Sequence, residues 1–529
     1  MKKSKFTQLM LLLSLTPGAV AWAGSNALSD SNVFLSQQTG NLKTEGIIVD
    51  AKGEPLIGVS ILESGTTNGT ITDIDGAFSL QVSPNAVLEI SYIGYKTQKL
   101  AVKANLGKIV MHEDTEVLDE VVVTALGIKR SEKALSYNVQ QVKGDELTTV
   151  KDANFMNALA GKVAGVNINA SASGVGGATR VVMRGVKSIA NSNNALYVID
   201  GVPIFNTNNG GTEGAYSEQP RGEGISDLNP DDIESMSVLT GAAAAALYGS
   251  EAANGVVMIT TKKGRKGAPE VNISNSTTFS SPFVTPEFQN TYGSETGDFT
   301  SWGSKLATPT DYDPLDFFQT GYNVSNSASI LTGSDTNQTY LSLGAVNARG
   351  IIHNNDMDRY NVTLRNSSSM LNDRLTMDLF FMYMRVNEQN MLAQGQYFNP
   401  LVPVYLFPRG DDMRKYQTFE RYDASRNFKT QYWPYGDQGM MMQNPYWITE
   451  RDLFNNKKNR YMFGGSLAFK INDWMNISGR VRYDGTEEVR TKKYYASTLA
   501  LFAGSDMGAY YKDEIATTQI YAGAPRMVA

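Results

Sequence analysis

The chain contains no cysteine, which excludes a disulfide scaffold, thiolate metal sites and a cysteine nucleophile. Histidine is nearly absent: only His112 and His353 occur, so any imidazole-dependent triad or metal site would have to use one of them. Acidic residues outnumber basic ones, 53 to 47, and a formal charge of -6 offers nucleic acid no basic surface. No later run reaches the roughly 18 apolar residues of a transmembrane helix, so a membrane span would have to be a β-barrel. What the chain does have is length and β-forming composition. Its 529 residues correspond to more than three domains at about 150 residues each. With 41% hydrophobic and 19% charged residues it can build cores. An excess of glycine (48), and more Tyr (26) than Phe (21), lean toward turn-rich β structure.

The N-terminus sets the compartment. Lys2, Lys3 and Lys5 precede the apolar run Leu9 to Leu15, Pro17 and Gly18 break it, and Ala21-Trp22-Ala23 is a small-x-small cleavage pattern. Residues 1–23 therefore read as a secretory signal peptide cut between Ala23 and Gly24. Gly24 is not a cysteine, so the mature end carries no lipoprotein anchor. Removing three lysines and no acids leaves a mature charge of -9.

After an extension over 24–42, residues 43–113 carry short β runs, Gly46 to Val49, Val59 to Leu62 and Gly76 to Val82, between Gly, Asp and Pro turns. That spacing predicts a small β-sandwich. Asp73-Ile74-Asp75-Gly76 is read as an Asp-Gly turn, since the further acids of a calcium loop are missing. Glu116 to Ala125 is acidic and then β-branched, suited either to pair with the edge of another protein's sheet or to begin the next domain. Residues 130–263 mix helix and strand: a short helix is predicted over Asp152 to Leu159, strands at Val181 to Gly185, Ala195 to Gly201 and Gly255 to Thr261, and a helical or turn segment from Asp231 to Ser250. Gly174-Val175-Gly176-Gly177 fits neither phosphate-loop spacing and reads as a turn.

Several motifs carry a family resemblance. Gly53-Glu54-Pro55-Leu56-Ile57-Gly58-Val59, Thr66-Thr67-Asn68-Gly69-Thr70 and Ser91-Tyr92-Ile93-Gly94-Tyr95-Lys96 resemble the carboxypeptidase-regulatory-like domain, which implies a non-catalytic immunoglobulin-like module. Leu159-Ala160-Gly161, Arg184-Gly185, Leu196-Tyr197-Val198-Ile199-Asp200-Gly201-Val202-Pro203 and Ala246-Leu247-Tyr248-Gly249 resemble the plug domain of TonB-dependent outer-membrane transporters, placed at 129–264. The join Asp119 to Arg130 and the ending Ala252 to Gly264 are similar to the SusC/RagA subfamily. The resemblance implies a TonB box within 116–128, formed by Asp119, Glu120, Val121, Val122, Val123, Thr124 and Ala125 and gripped by TonB with its inner-membrane energising complex. It also implies an outer-membrane importer whose sandwich and TonB box face the periplasm, lidded by a SusD-like surface lipoprotein that helps capture oligosaccharides or peptides.

From residue 265 a barrel is expected, and alternating strands are read at 271–281, 324–333, 337–347, 358–368, 375–386, 460–471 and 476–486. Their connections alternate long and short, as outer loops and periplasmic turns should. The last hairpin puts Tyr461, Phe463, Leu467, Phe469 and Ile471 on a lipid-facing side and Met462, Ser466, Lys470, Arg480, Arg482 and Asp484 toward a wet lumen. The loop 387–459 is rich in aromatics. Tyr397, Tyr432, Trp433, Tyr435 and Trp447 are candidate contacts for ligand or lid, against the plainer alternative that they pack the loop itself. The fold expected is mainly β: a sandwich, an α+β plug and, over 265–529, an incomplete transmembrane barrel. Seven strands cannot close around a plug, which needs a barrel of roughly 22, and the Gly/Ala-rich end shows no closing aromatic strand, so the chain reads as the first part of a transporter, inactive alone. No acid pair or nucleophile with a general base stands out, so no enzyme, cofactor or metal is expected. The competing readings are a secreted adhesive β protein and a signalling receptor; the latter would carry a different domain ahead of the box.

Overall fold

The computed structural model describes residues 42–528 apart from 51–52, 67, 93–94, 113–120, 124–128, 132–138, 150, 171, 189–192, 205–222, 295–302, 436–441 and 473. Two compact units divide at Leu118 and Asp119.

The first unit is a sandwich of two sheets. One orders Ala77–Val82, Leu42–Val49 and Asn105–Val110; the other orders Gly69–Ile71, Ser60–Glu63, Val87–Ser91 and Gln98–Ala101. Alternate residues of these strands, Ile48, Ile61, Phe78, Leu80, Leu88 and Ile90, meet in one core, as half-buried strands dictate. The Asp73 carboxylate accepts backbone N–H groups from Asp75 (3.0 Å) and Ala77 (2.8 Å), which closes the turn the sequence indicated.

The second unit holds a plug and a curved wall. The plug sheet orders Val139–Lys143, Ile233–Leu239, Val256–Thr261, Leu196–Ile199 and Val202–Pro203. Two sequence expectations need correction here. Asp231 to Ser250 is not one helical or turn segment: its first half is the strand Ile233–Leu239, covered on both faces and therefore without the alternation that marks a half-exposed strand, and only Ala242–Tyr248 is α-helical. The expected helix at Asp152 to Leu159 is a single 3-10 turn, Phe155–Leu159, capped by the Asn154 side chain.

The wall is one antiparallel sheet of eight strands in sequence order: Gly267–Ser280, Gly321–Gly333, Asn337–Arg349, Asp356–Met370, Leu375–Gln389, Asp452–Asn472, Met475–Tyr494 and Ala509–Val528. Among the described residues the first and eighth strands do not pair, so the sheet curves without closing. The eighth strand is a correction to the seven expected. Lys512-Asp513-Glu514 and Pro525 hide its pattern, yet the strand pairs with its neighbour from Ala509 to Val528, and Pro525 falls where the register shifts opposite Ser478 and Arg480. Tyr461, Phe463, Leu467, Phe469 and Ile471 are exposed on the convex face as expected, and Phe463 stacks on Tyr483 at 4.7 Å. The concave face is in part covered and not wet, although Lys470 and Asn476 stay exposed on it. Met462, Arg482 and Asp484 are buried because the plug fills the space in front of them.

Candidate functional site

The plug sits on the concave wall through groups drawn from several strands. Because side chains alternate across a strand, one face of the wall turns toward the plug, and where the two meet the sequence places many polar groups. Arg359 donates to the carbonyl of Ala153 (2.9 Å) and to that of Ser226, while Asn361 donates to the carbonyl of Asp227 (2.6 Å). Lys151 of the plug reaches Asp231 (2.7 Å) and Ser274 of the wall (2.8 Å). Arg482 donates to the carbonyl of Ile199 (2.8 Å) and Arg480 to that of Asp200 (2.8 Å). A buried, oriented donor facing a fixed carbonyl defines position as well as affinity, since each unmet partner would cost about 1–3 kcal/mol.

Three plug carboxylates, Asp227, Asp232 and Asp200, anchor this interface. Asp227 lies 2.6 Å from Lys458 and 3.5 Å from Arg460, and Arg460 also forms a two-pronged pair with Asp484 at 2.8 and 2.7 Å. Asp232 is met by hydroxyls instead of a cation: Tyr340 (2.8 Å), Ser342 and Thr363 (2.5 Å) all donate to it. Burial raises its pKa, and the three hydroxyls oppose that rise. Asp200, at φ +48° in the turn before Gly201, accepts from Thr261 Oγ1 (2.7 Å) and pairs with Arg365 of the wall (3.0 Å). Thus the Asp200-Gly201 motif builds a tight turn and supplies an anchor for the wall. Between these polar contacts, Met382, Met384 and Met462 of the wall enter the plug's own core beside Tyr197, Ile199, Ile225 and Val257.

The glycine-rich turn at 174–177 meets the wall at its other margin. Gly174 has φ +86°, and a Cβ there would lie 2.2 Å from Asn355 Oδ1. Asn355 accepts from the Val175 N–H (3.2 Å) and donates to the Asn390 carbonyl (3.1 Å). Beside it the Leu392 N–H donates to the Ser173 carbonyl (2.8 Å) and Gln394 to the Ser173 hydroxyl (3.0 Å). The plug therefore touches the root of the long connection after Gln389 directly.

That connection shares a core with the one between the first and second wall strands. Tyr312, Phe317, Phe407, Met413, Tyr416 and Tyr435 pack together, with Tyr432, Trp433 and Tyr446 against them. Tyr416 and Tyr435 each donate to Asp411 at 2.6 Å. Burial resists ionisation of Asp411, but donation from Lys415, Tyr416, Tyr435 and the Asp412 N–H outweighs it and holds the carboxyl below the usual range. Of the candidate contacts, Tyr435 and Trp447 are corrected to internal roles, at 2% and 1% exposure, with the Trp447 indole donating to Thr498 (3.0 Å). Tyr397, Tyr432 and Trp433 are only partly covered; Tyr397 lies 5.1 Å from the Phe502 ring and Arg421 sits over the Tyr432 ring at 3.2 Å.

In the box segment, Val121–Val123 pairs antiparallel with Lys129–Ser131, Val122 opposite Arg130. Asp119, Glu120, Thr124 and Ala125, like Ala23 and Gly24, lie outside the described residues. Sequence reasoning missed the anchors Asp227, Asp232, Arg359, Arg365, Lys458 and Arg460. For Arg359, Arg365, Lys458 and Arg460 the signal was charged or polar residues at alternate positions of wall strands, whereas Asp227 and Asp232 end short 3-10 turns of the plug and carry no such periodicity. Among the described residues no group of three or more His, Asp or Glu side chains could hold a metal.

A plug seated by buried polar anchors on the concave face of a meandering antiparallel sheet defines the plugged-barrel receptor class. The TonB-dependent Receptor Plug Domain model matches residues 131–256, and the CarboxypepD_reg-like domain model matches 44–123. The chain is 32% identical over 443 residues to TonB-dependent receptor SusC of Bacteroides thetaiotaomicron, covering 80% of this chain and 42% of that protein. It is 34% identical over 247 residues to TonB-dependent receptor P39 of Formosa agariphila, covering 46% of this chain and 22% of that protein. In fold it is similar to the RagAB peptide importer in its open-open state, with a TM-score of 0.57 at 22% identity over 72% of this chain and 44% of that one. The chain is a homologue of the SusC-type TonB-dependent receptors, and it spans less than half the length of the relatives it matches.

Proposed function

We propose that this protein serves TonB-dependent import of oligosaccharides or peptides across the outer membrane, acting with a SusD-like surface lipoprotein. The observation that carries this reading is the two-faced wall: apolar side chains outward over Tyr461 to Ile471, and inward polar groups that hold the plug. Ten residue steps at about 3.3 Å, tilted by roughly 40°, rise about 25 Å, the height of an outer-membrane apolar band. The sandwich and the box segment then lie in the periplasm, where TonB pairs with Asp119 to Ala125. The short extended run Val121–Val123 supports that role, because main-chain pairing needs only an accessible strand. Tyr397, Tyr432 and Trp433 offer rigid aromatic surface to sugar or peptide, and their neighbours touch the plug through Leu392 and Gln394. Ligand seated there would be felt at Ser173.

Replacing Val122 with Pro removes a strand donor from the box without touching the wall. With the variant placed in a receptor whose barrel is complete, cells should bind labelled ligand at the surface as before and lose its uptake. Normal uptake would dismiss this TonB box.

A further inference from the structure

Outside the plug seat, the convex face of the wall carries a concavity of about 560 Å³ where the fifth to eighth strands approach the long connections. Its lining includes Lys457, Lys493, Lys512, Gln389, Asn455 and Tyr510, and holds no carboxylate. The alternation fixes which way these residues face. Asp452, Phe454, Lys458, Arg460 and Met462 are buried on the concave side, so Asn455 and Lys457 share the convex side with Tyr461 and Phe463. Register places Lys457 opposite Val489, Asn455 opposite Thr491 and Leu453 opposite Lys493, with Lys512 opposite Thr491, so the three lysines step across the sixth to eighth strands on three successive outward rows that line one cavity. No ion pair joins Lys457 or Lys493 to a described residue, and Lys512 shares an exposed pair with Glu514.

Height along the strand identifies what such a pocket meets, given the membrane placement proposed above. The outward residues from Ile471 up to Tyr461 are apolar, and Tyr383 lies beside Tyr461 at 5.1 Å, an aromatic margin to the band. Lys457 is four residues beyond Tyr461, about 10 Å higher at the rise and tilt of a barrel strand. The headgroup layer extends roughly 5–8 Å beyond the hydrocarbon, and a lysine side chain can reach back across the remainder. Two ammonium groups with no ion pair to a described residue, a third shared with Glu514 at the margin, and amide and hydroxyl neighbours, in a concavity whose lining holds no carboxylate, complement phosphate monoesters on a lipid headgroup. We propose that this pocket binds the phosphates of an anionic glycolipid in the outer leaflet, so that the wall carries an annular lipid site between its fifth and eighth strands.

The test uses the full chain in detergent, with fluorescent diphosphorylated lipid A as the probe and dephosphorylated lipid A and inorganic phosphate as separate arms. Lysines at a charged lipid surface contribute additively, so changing Lys457, Lys493 and Lys512 together to Gln should weaken binding about 10- to 100-fold, while changing all three to Arg should retain it. Dephosphorylated lipid A should not bind at the same concentrations. Equal binding by the triple Gln variant, equal binding of dephosphorylated lipid, or competition by inorganic phosphate at lipid-like concentrations would overturn the proposal. Carbonate washing of membranes checks insertion of each variant; if the triple variant fails it, Lys457→Gln and Lys493→Gln are read singly by the same criteria. A wild-type chain that washes out of the membrane would overturn the import reading together with this site. A retained chain with lysine-independent lipid binding overturns the site alone.

Discussion

Changing Asp227 to Asn tests whether the plug is held by the wall or merely lies against it. The side chain is 2% exposed, 2.6 Å from Lys458 and 3.5 Å from Arg460, and both cations are themselves under 10% exposed. Removing one partner of a buried pair leaves an uncompensated charge and costs about 3–5 kcal/mol. Arg460 keeps Asp484, and Lys458 keeps a neighbouring carboxylate in Glu388, so the lower figure applies. About 3 kcal/mol raises the population with the plug detached by roughly 150-fold. Hydrogen exchange of the plug strands Ile233–Leu239 and Val256–Thr261, measured against exchange of the wall, reads that population. Adding Lys458→Met should recover part of the loss, since the unpaired charge is gone, whereas Lys458→Met alone should be costly. Added salt should change little, because buried pairs are poorly screened. Exchange unaltered by Asp227→Asn, or strictly additive effects of the two substitutions, would refute the idea that this pair seats the plug.

Gly174→Val should loosen the join between the plug and the long connection, because φ +86° disfavours a branched residue and its Cβ would strike Asn355; protease cleavage near residue 174 should quicken while the wall resists as before. Trp447→Ala should empty a large buried site and remove a hydrogen bond from Thr498, destabilising the connection by about 3–5 kcal/mol, seen as a loss of loop protection with the wall intact. Asp411 has a depressed folded pKa, so its contribution is complete above the unfolded value of about 3.9 and is lost as pH falls through the lower folded value. Emission from Trp433, 5.3 Å from the Tyr435 ring, should therefore stay constant down to about pH 4 and change below it, and Asp411→Asn should remove that step.

The parts of the fold most legible in the sequence were those with one wet or lipid face and one covered face. The strand from Tyr461 to Ile471 alternates cleanly because its outward side is apolar and exposed while its inward side turns toward the plug. Ile233–Leu239 was illegible for the opposite reason: Ser235 and Ser237 are both buried, so polarity no longer reports exposure. Ala509–Val528 was obscured by charges that an outward edge above the band tolerates. The aromatics of the long connection were visible as composition, but only folding shows that Tyr435 joins a shared core and Trp447 is buried on Thr498 while Tyr432 keeps part of its surface. The plug seat was least legible. Arg359, Arg365, Lys458 and Arg460 look like water-facing residues until a plug more than a hundred positions earlier in the chain is placed against them.

The central claim is that one face of this wall meets lipid and the other meets the plug. The absence of native cysteine allows single cysteines to be placed along 457–471, labelled with a nitroxide, and read for collision with oxygen and with a water-soluble nickel chelate. Labels at 461, 463, 467, 469 and 471 should favour oxygen, labels at 462, 466 and 468 should be shielded from both, and the label at 457 should meet the chelate. Uniform access of the chelate to the odd-numbered sites in membrane-associated protein would contradict the account, because a face open to water cannot be the lipid face of a barrel.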